Sequence, residues 1–268
     1  TGMVDLTPPE LSHPPAATAH ATDALCGCAP GERSHGGHAH SGWFAAGDFL
    51  LWRPRMDSLN YAVADATDDL VPRGRVQNLR FAADGGFRVN LGYRLPKQGW
   101  DVGVTYTYYR SDANESTAAP PGGLLYPTLT RPGVIDSVST ATATAGLTYN
   151  VFDADIGRTW NVDEHLALRT FGGIRFASID TEMQANYDGR LATFAQVRND
   201  ASFSGTGPTL GAEARWNVCK CVSLFGNARG GLIYGDFAAS ALETNGAGAV
   251  VNADLSDNFT GVAPFGSI

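Results

Sequence analysis

The residues of this chain that could do chemistry are arginines and carboxylates spaced two apart. Asp153 and Asp155 share that spacing, as do Glu213 and Arg215. Asp48, Arg88, Arg94, Asp101, Arg169, Arg175 and Arg229 each stand in a run where apolar and polar residues alternate. Successive side chains of an extended strand point to opposite faces, so residues two apart collect on one face. Arginine presents a planar fork that pairs bidentately with carboxylates. The chemistry implied is therefore electrostatic: a charged lining that selects solutes or ions, or a salt-bridge network that fills a narrow barrel. With about eight strands in view the filled interior is favoured, and a wider barrel would reverse that.

Other reactive groups are weaker candidates. Cys26 and Cys28, and Cys219 and Cys221, form two Cys-X-Cys pairs, which is not zinc-ribbon spacing. A disulfide linking the two pairs would pin the N-terminal arm beneath a barrel in an oxidising compartment, and local pairing or free thiols are the plainer expectation. His35, His38 and His40 with the first cysteine pair could ligate a soft metal, but ordering that segment costs about 1–2 kcal/mol per residue, so no metal or cofactor is expected. His165 is the one histidine outside the arm, and no nucleophile, base and orienting partner converge on it by motif, so the reading is not an enzyme.

Composition narrows the class. The chain has 268 residues, 17% charged and 43% hydrophobic, with 32 glycines and a net charge of -8. A net negative chain without a polybasic cluster does not bind nucleic acid. No stretch approaches the roughly 20 apolar residues of a membrane helix. A secreted β sandwich and an outer-membrane β-barrel remain.

Residues 1–41 carry five of the six histidines and repeated prolines without periodicity, and read as a flexible arm. From Trp43 onward period-2 alternation predicts strands near 43–53, 76–95, 98–111, 135–160, 164–181, 200–218 and 221–239. The stretch 57–65 reads as an extra strand within the first long excursion, and a last partner near 255–268 alternates poorly and reads as a strand cut short. Phe87, Val89, Leu91 and Tyr93 share one face against Arg88, Asn90 and Arg94; Trp100, Val102, Val104 and Tyr106 oppose Asp101, Thr105 and Thr107. A soluble sandwich would dress its polar face in Lys, Glu, Ser and Thr, whereas arginine, glycine and asparagine suit an enclosed one. The pattern predicts an all-β, antiparallel, up-and-down transmembrane barrel over 42–268, with lipid outside and the charged set inside.

Three subsidiary expectations follow. Strict alternation from Leu147 would put Asp153 and Asp155 in lipid, so a β-bulge is expected near Asn150 to Phe152. Short turns near 95–99, 161–164 and 219–220 should alternate with long loops near 111–133, 184–198 and 240–254. Trp43, Trp52, Trp100, Trp160 and Trp216 should form interfacial girdles.

Five segments carry a family resemblance: Gly42-Trp43-Phe44-Ala45-Ala46-Gly47-Asp48-Phe49-Leu50-Leu51-Trp52-Arg53-Pro54, Tyr149-Asn150-Val151-Phe152-Asp153-Ala154-Asp155-Ile156-Gly157-Arg158, Leu168-Arg169-Thr170-Phe171-Gly172-Gly173-Ile174-Arg175-Phe176-Ala177, Phe203-Ser204-Gly205-Thr206-Gly207-Pro208 and Leu224-Phe225-Gly226-Asn227-Ala228. With them the chain resembles the pore-forming outer-membrane family typified by the Legionella major outer-membrane protein, which has many planctomycete relatives. The resemblance spans most of residues 42–240. It implies a bacterial outer-membrane barrel of pore-like character, with a surface adhesin or envelope scaffold as the alternative, and no catalytic residues. It also implies further strands after the last segment seen here. Outer-membrane lipid is the expected partner, self-association is left open, and nucleic acid is not expected.

Overall fold

The computed structural model describes residues 41–267 except 58, 68–70, 97, 98, 164, 191, 220 and 221. The strands are β1 (Gly42–Trp52), β2 (Asn60–Asp65), β3 (Arg75–Asn78), β4 (Asp84–Arg94), β5 (Trp100–Ala118), β6 (Leu124–Pro127), β7 (Thr140–Asn161), β8 (Leu166–Gly189), β9 (Ala192–Cys219), β10 (Val222–Asn245) and β11 (Val250–Ser267). Eight of them form one antiparallel sheet in the order β1-β4-β5-β7-β8-β9-β10-β11, in which each strand pairs with the next of the series. This is the up-and-down topology expected. The sheet edges β1 and β11 do not pair with each other among the described residues. The remaining strands make a second sheet, β3-β2-β6.

Strands β7 to β10 run 22 to 28 residues. About 24 residues at roughly 3.3 Å each give about 80 Å of chain, whereas a tilted membrane strand needs about 9–11 residues. The excess is where the expected long loops near 184–198 and 240–254 lay: β8 and β9 continue through the first to a tight turn at Gly189 and Arg190, and β10 and β11 through the second to a turn at 246–249. The alternation there is polar outside and small or apolar inside, as in Met183-Gln184-Ala185-Asn186-Tyr187. Of the third expected loop, β5 takes residues up to Ala118 and β6 another four. The stretch expected at 76–95 divides into β3 and β4, and β2, the extra strand expected in the first long excursion, stands in the second sheet. The last strand begins earlier than expected, at Val250, and pairs with β10 from Asn245 to Arg229 with one register shift between Glu243 and Thr244.

No bulge occurs at Asn150 to Phe152, because β7 keeps continuous register with both neighbours from Thr140 to Arg158. Asp153 and Asp155 nevertheless face inward, and so do Leu147, Tyr149 and Val151 on the same parity. The apolar phase changes because the surroundings change. On the outer face one cross-strand row reads Tyr106, Phe152, Phe176, Thr206, Tyr234 and Val262, and the next row reads Tyr108, Asn150, Ser178, Ser204, Asp236 and Thr260. From the first row toward the short turns the outside is apolar, with Val102, Val104, Ile156, Ile174, Leu210, Leu224 and Leu232 exposed. From the second row toward the far end it carries Arg110, Asp112, Asp180, Glu182, Arg198 and Asp200. The inside inverts at the same level, from charged near the short turns to a core of Tyr109, Ala143, Ala145, Leu147, Met183, Ala185, Tyr187 and Val197 at the far end.

That far core is completed by the excursions 53–83 and 119–139, which turn into the concave side. Leu59, Tyr61, Ala62, Leu79, Phe81, Leu125, Ile135 and Val138 are buried against it. The Tyr187 hydroxyl donates to the Tyr61 carbonyl (2.6 Å), the Tyr109 hydroxyl to the Trp52 carbonyl (2.8 Å), and the Arg131 N–H to Glu243 Oε2 (2.8 Å). Trp52 belongs to this core at 7% exposure. It is therefore not a girdle residue: it shares parity with Asp48 and points inward, while Trp43, Trp160 and Trp216 are exposed on the outer face and Trp100 shares that face.

Candidate functional site

The inward faces enclose one cavity of about 3560 Å³ with a wall drawn from all eight strands of the large sheet. Asp48 (β1), Arg88 and Arg94 (β4), Asp101 (β5), Asp153 and Asp155 (β7), Arg169 and Arg175 (β8), Glu213 and Arg215 (β9) and Arg229 (β10) all line it. Six arginines thus face five carboxylates across one concave surface.

Two ion clusters organise the wall. In the first, Arg169 reaches over β7 to Asp101 on β5, with Nη2 2.6 Å from Oδ1 and Nε 3.0 Å from Oδ2, while Nη1 meets Glu213 Oε1 at 3.2 Å. This crossing requires Gly157: a Cβ there would stand 2.6 Å from Arg169 Nη2. In the second, Arg175 forks onto Asp153 (Nε to Oδ1 2.7 Å, Nη2 to Oδ2 2.9 Å) in direct cross-strand register. Arg229 comes from β10 to place Nη1 2.8 Å from Asp153 Oδ2 and to donate from Nη2 to Asp155 Oδ2 at 2.5 Å. A side chain that spans from β10 to β7 marks how tightly the sheet curls.

Aromatic rings separate the clusters. Phe171 lies between Arg169 (5.0 Å) and Arg229 (4.7 Å), over Gly211, where a Cβ would collide with the ring. Phe265 of β11 stands 4.1 Å from the Arg175 guanidinium. Phe171 was foreseeable as a member of the Arg169 parity. Phe265 was not, because its segment alternates poorly.

The rest of the wall is more loosely held. Arg88 stands opposite Asp48 in register and donates from Nε to Thr107 Oγ1 (3.3 Å); Asn90 donates to Thr105 Oγ1 (2.7 Å). Among the described residues, Asp48 Oδ1, Asp155 Oδ1 and Thr209 Oγ1 are buried without a hydrogen-bond partner. Arg94 stacks on Phe44 at 5.4 Å, and no ion pair among the described residues involves Arg94 or Arg215. The clusters hold their members firmly: Asp101 and Asp153 are only 6% and 3% exposed.

The remaining candidates sit elsewhere. Cys26, Cys28, Cys221, His35, His38 and His40 lie outside the described residues, and Cys219 ends β9 at the short-turn side. His165 is exposed in the β7–β8 turn, where its N–H and that of Leu166 donate to Asp163 Oδ1. Those two backbone donors hold the Asp163 carboxyl below its ordinary range.

Comparison with known proteins returns one family. Residues 38–265 match the family model described as Legionella pneumophila major outer membrane protein precursor. No curated protein and no solved structure matches the chain. An apolar outer belt around a charged inner wall is the arrangement a β-barrel takes in lipid, and with a match across nearly the whole described region the chain belongs to the Legionella major outer membrane protein family, whose place is the bacterial outer membrane.

Proposed function

We propose that the chain forms the wall of a porin-like pore for passive passage of small solutes or ions. The observation that carries this reading is the cavity of about 3560 Å³, with every membrane-level charge of the described wall strands but Arg158 turned inward and carboxylate oxygens left without protein partners on its wall. Buried acceptors of that kind are satisfied by water, so a wet interior fits them. Arg94 and Arg215, outside the ion clusters, give the short-turn mouth a positive bias and with it a preference for anions. Planar-bilayer recording tests the reading: discrete channels with anion selectivity that falls in Arg94→Gln/Arg215→Gln are expected, and a folded, membrane-inserted protein with no channels at any voltage overturns it.

A second reading, a non-conducting structural or surface-interaction barrel, draws support from the Arg229 bridge to Asp153 and Asp155 and from the apolar core over the far end. In that case the projecting far half is the contacting part.

A further inference from the structure

We propose that the short-turn rim carries a specific site for the phosphate of a phospholipid headgroup, built from Arg158, Trp100 and Trp160. Within the apolar belt, among the described residues, Arg158 is the single charged side chain of the wall strands that points to the outside. Its neighbour Gly157 faces inward beneath Arg169, which fixes the outward direction of Arg158. An arginine on the lipid face is far more costly at the bilayer midplane than near the interface, so its natural depth is the rim.

The local geometry makes it a receptor rather than a tolerated charge. Its guanidinium lies 4.0 Å from the Trp160 ring centre and 5.7 Å from that of Trp100, its direct cross-strand partner. Two indoles hold the guanidinium plane by cation–π attraction, which orders the fork before any ligand arrives. Trp160 Nε1 is itself occupied by Thr170 Oγ1 at 3.3 Å, which fixes that ring. Arg158 Nε is buried without a hydrogen-bond partner, and no ion pair among the described residues includes Arg158. An ordered, uncompensated fork in a tryptophan girdle selects a tetrahedral oxyanion, and phosphate is the oxyanion that a bilayer presents at this depth. Val102 and Ile156, paired with each other and exposed just inside the rim, continue the site with an acyl-chain surface, which distinguishes a lipid from free phosphate.

The test is native mass spectrometry of the full chain released from detergent after incubation with phosphatidylglycerol, or with diacylglycerol of the same acyl chains, or with phosphatidylglycerol plus equimolar inorganic phosphate. Loss of a charge-assisted hydrogen-bonded pair should lower retention roughly tenfold in Arg158→Gln, to the diacylglycerol level. Arg158→Lys, which keeps the charge without the fork, should retain more than the Gln variant. Equal retention of phosphatidylglycerol by wild type and Arg158→Gln, equal retention of the two lipids by wild type, equal losses in the Lys and Gln variants, or displacement of the lipid by inorganic phosphate would each overturn the proposal.

Discussion

The two halves of the wall are built from the same strands by opposite rules. Below the row through Asn150, Ser178 and Asp236 the barrel is apolar outside and charged inside; above it the same strands are polar outside and enclose a core with Leu147, Ala185 and Tyr187. No bulge or break in register separates the two along β7. The lesson is that facing direction belongs to the backbone, while which direction is greasy belongs to the solvent on each side. Lipid makes a polar interior affordable only where water or ion pairing compensates it, as in the Arg175–Asp153–Arg229–Asp155 cluster. Water outside the far half restores the ordinary arrangement of a soluble protein.

The contrast can be broken at defined points. Asp153→Ala should cost most, because it leaves Arg175 and Arg229 facing each other without their shared anion; removing one partner of a buried pair costs about 3–5 kcal/mol, readable by urea unfolding in lipid vesicles. Ile174→Arg, in the lipid belt, should lose about 2–4 kcal/mol, whereas Ser202→Arg on the same outer face above the boundary should stay within about 0.5 kcal/mol. Equal costs for those two arginines would erase the distinction between the halves.

Smaller effects sharpen the picture of the far half. Burial pushes the Tyr187 phenol up, so it remains a donor to the Tyr61 carbonyl. The Tyr61 carbonyl also accepts from the Thr128 N–H at 3.3 Å, so Tyr187→Phe should remove one hydrogen bond without stranding its acceptor and cost about 0.5–1.5 kcal/mol; hydrogen exchange should show it as faster opening of β2 while the belt strands are unchanged. The smallest effect concerns pH. The N–H groups of Thr67 and Arg73 hold the Asp65 carboxyl below its ordinary range. The stabilisation is present above the ordinary carboxylate value near about 4 and is lost as pH falls through the lower folded value. Limited proteolysis of the 53–83 excursion should accelerate below that range in wild type, and Asp65→Asn should remove the pH dependence.

Alternation in Phe87 to Arg94 and in Trp100 to Tyr108 made the membrane half legible, and with it each inward charged residue from Asp48 to Arg229. Period-2 alternation carries the assumption of one environment along each strand. On that assumption Leu147, Tyr149 and Val151 face lipid and a bulge is needed to bring Asp153 back inside. The same assumption turned the polar outer faces at 184–198 and 240–254 into loops and Trp52 into a girdle residue. Parity alone would have placed Trp52 with Asp48. Arg229 reaching Asp155, 74 residues away, follows from the curl of the sheet, to which no local pattern points.

The central claim, inversion of surroundings without inversion of facing, is tested most directly by nitroxide scanning of residues 144–156 of β7 in lipid vesicles, on a chain with its four cysteines replaced by serine. Collisions with oxygen in the bilayer should peak at Phe152, Ala154 and Ile156, and collisions with a water-soluble quencher at Thr144, Gly146 and Thr148, with every accessible position of even number. Oxygen accessibility at Leu147, Tyr149 and Val151, with a change of parity near Asn150, would contradict it and restore the bulge.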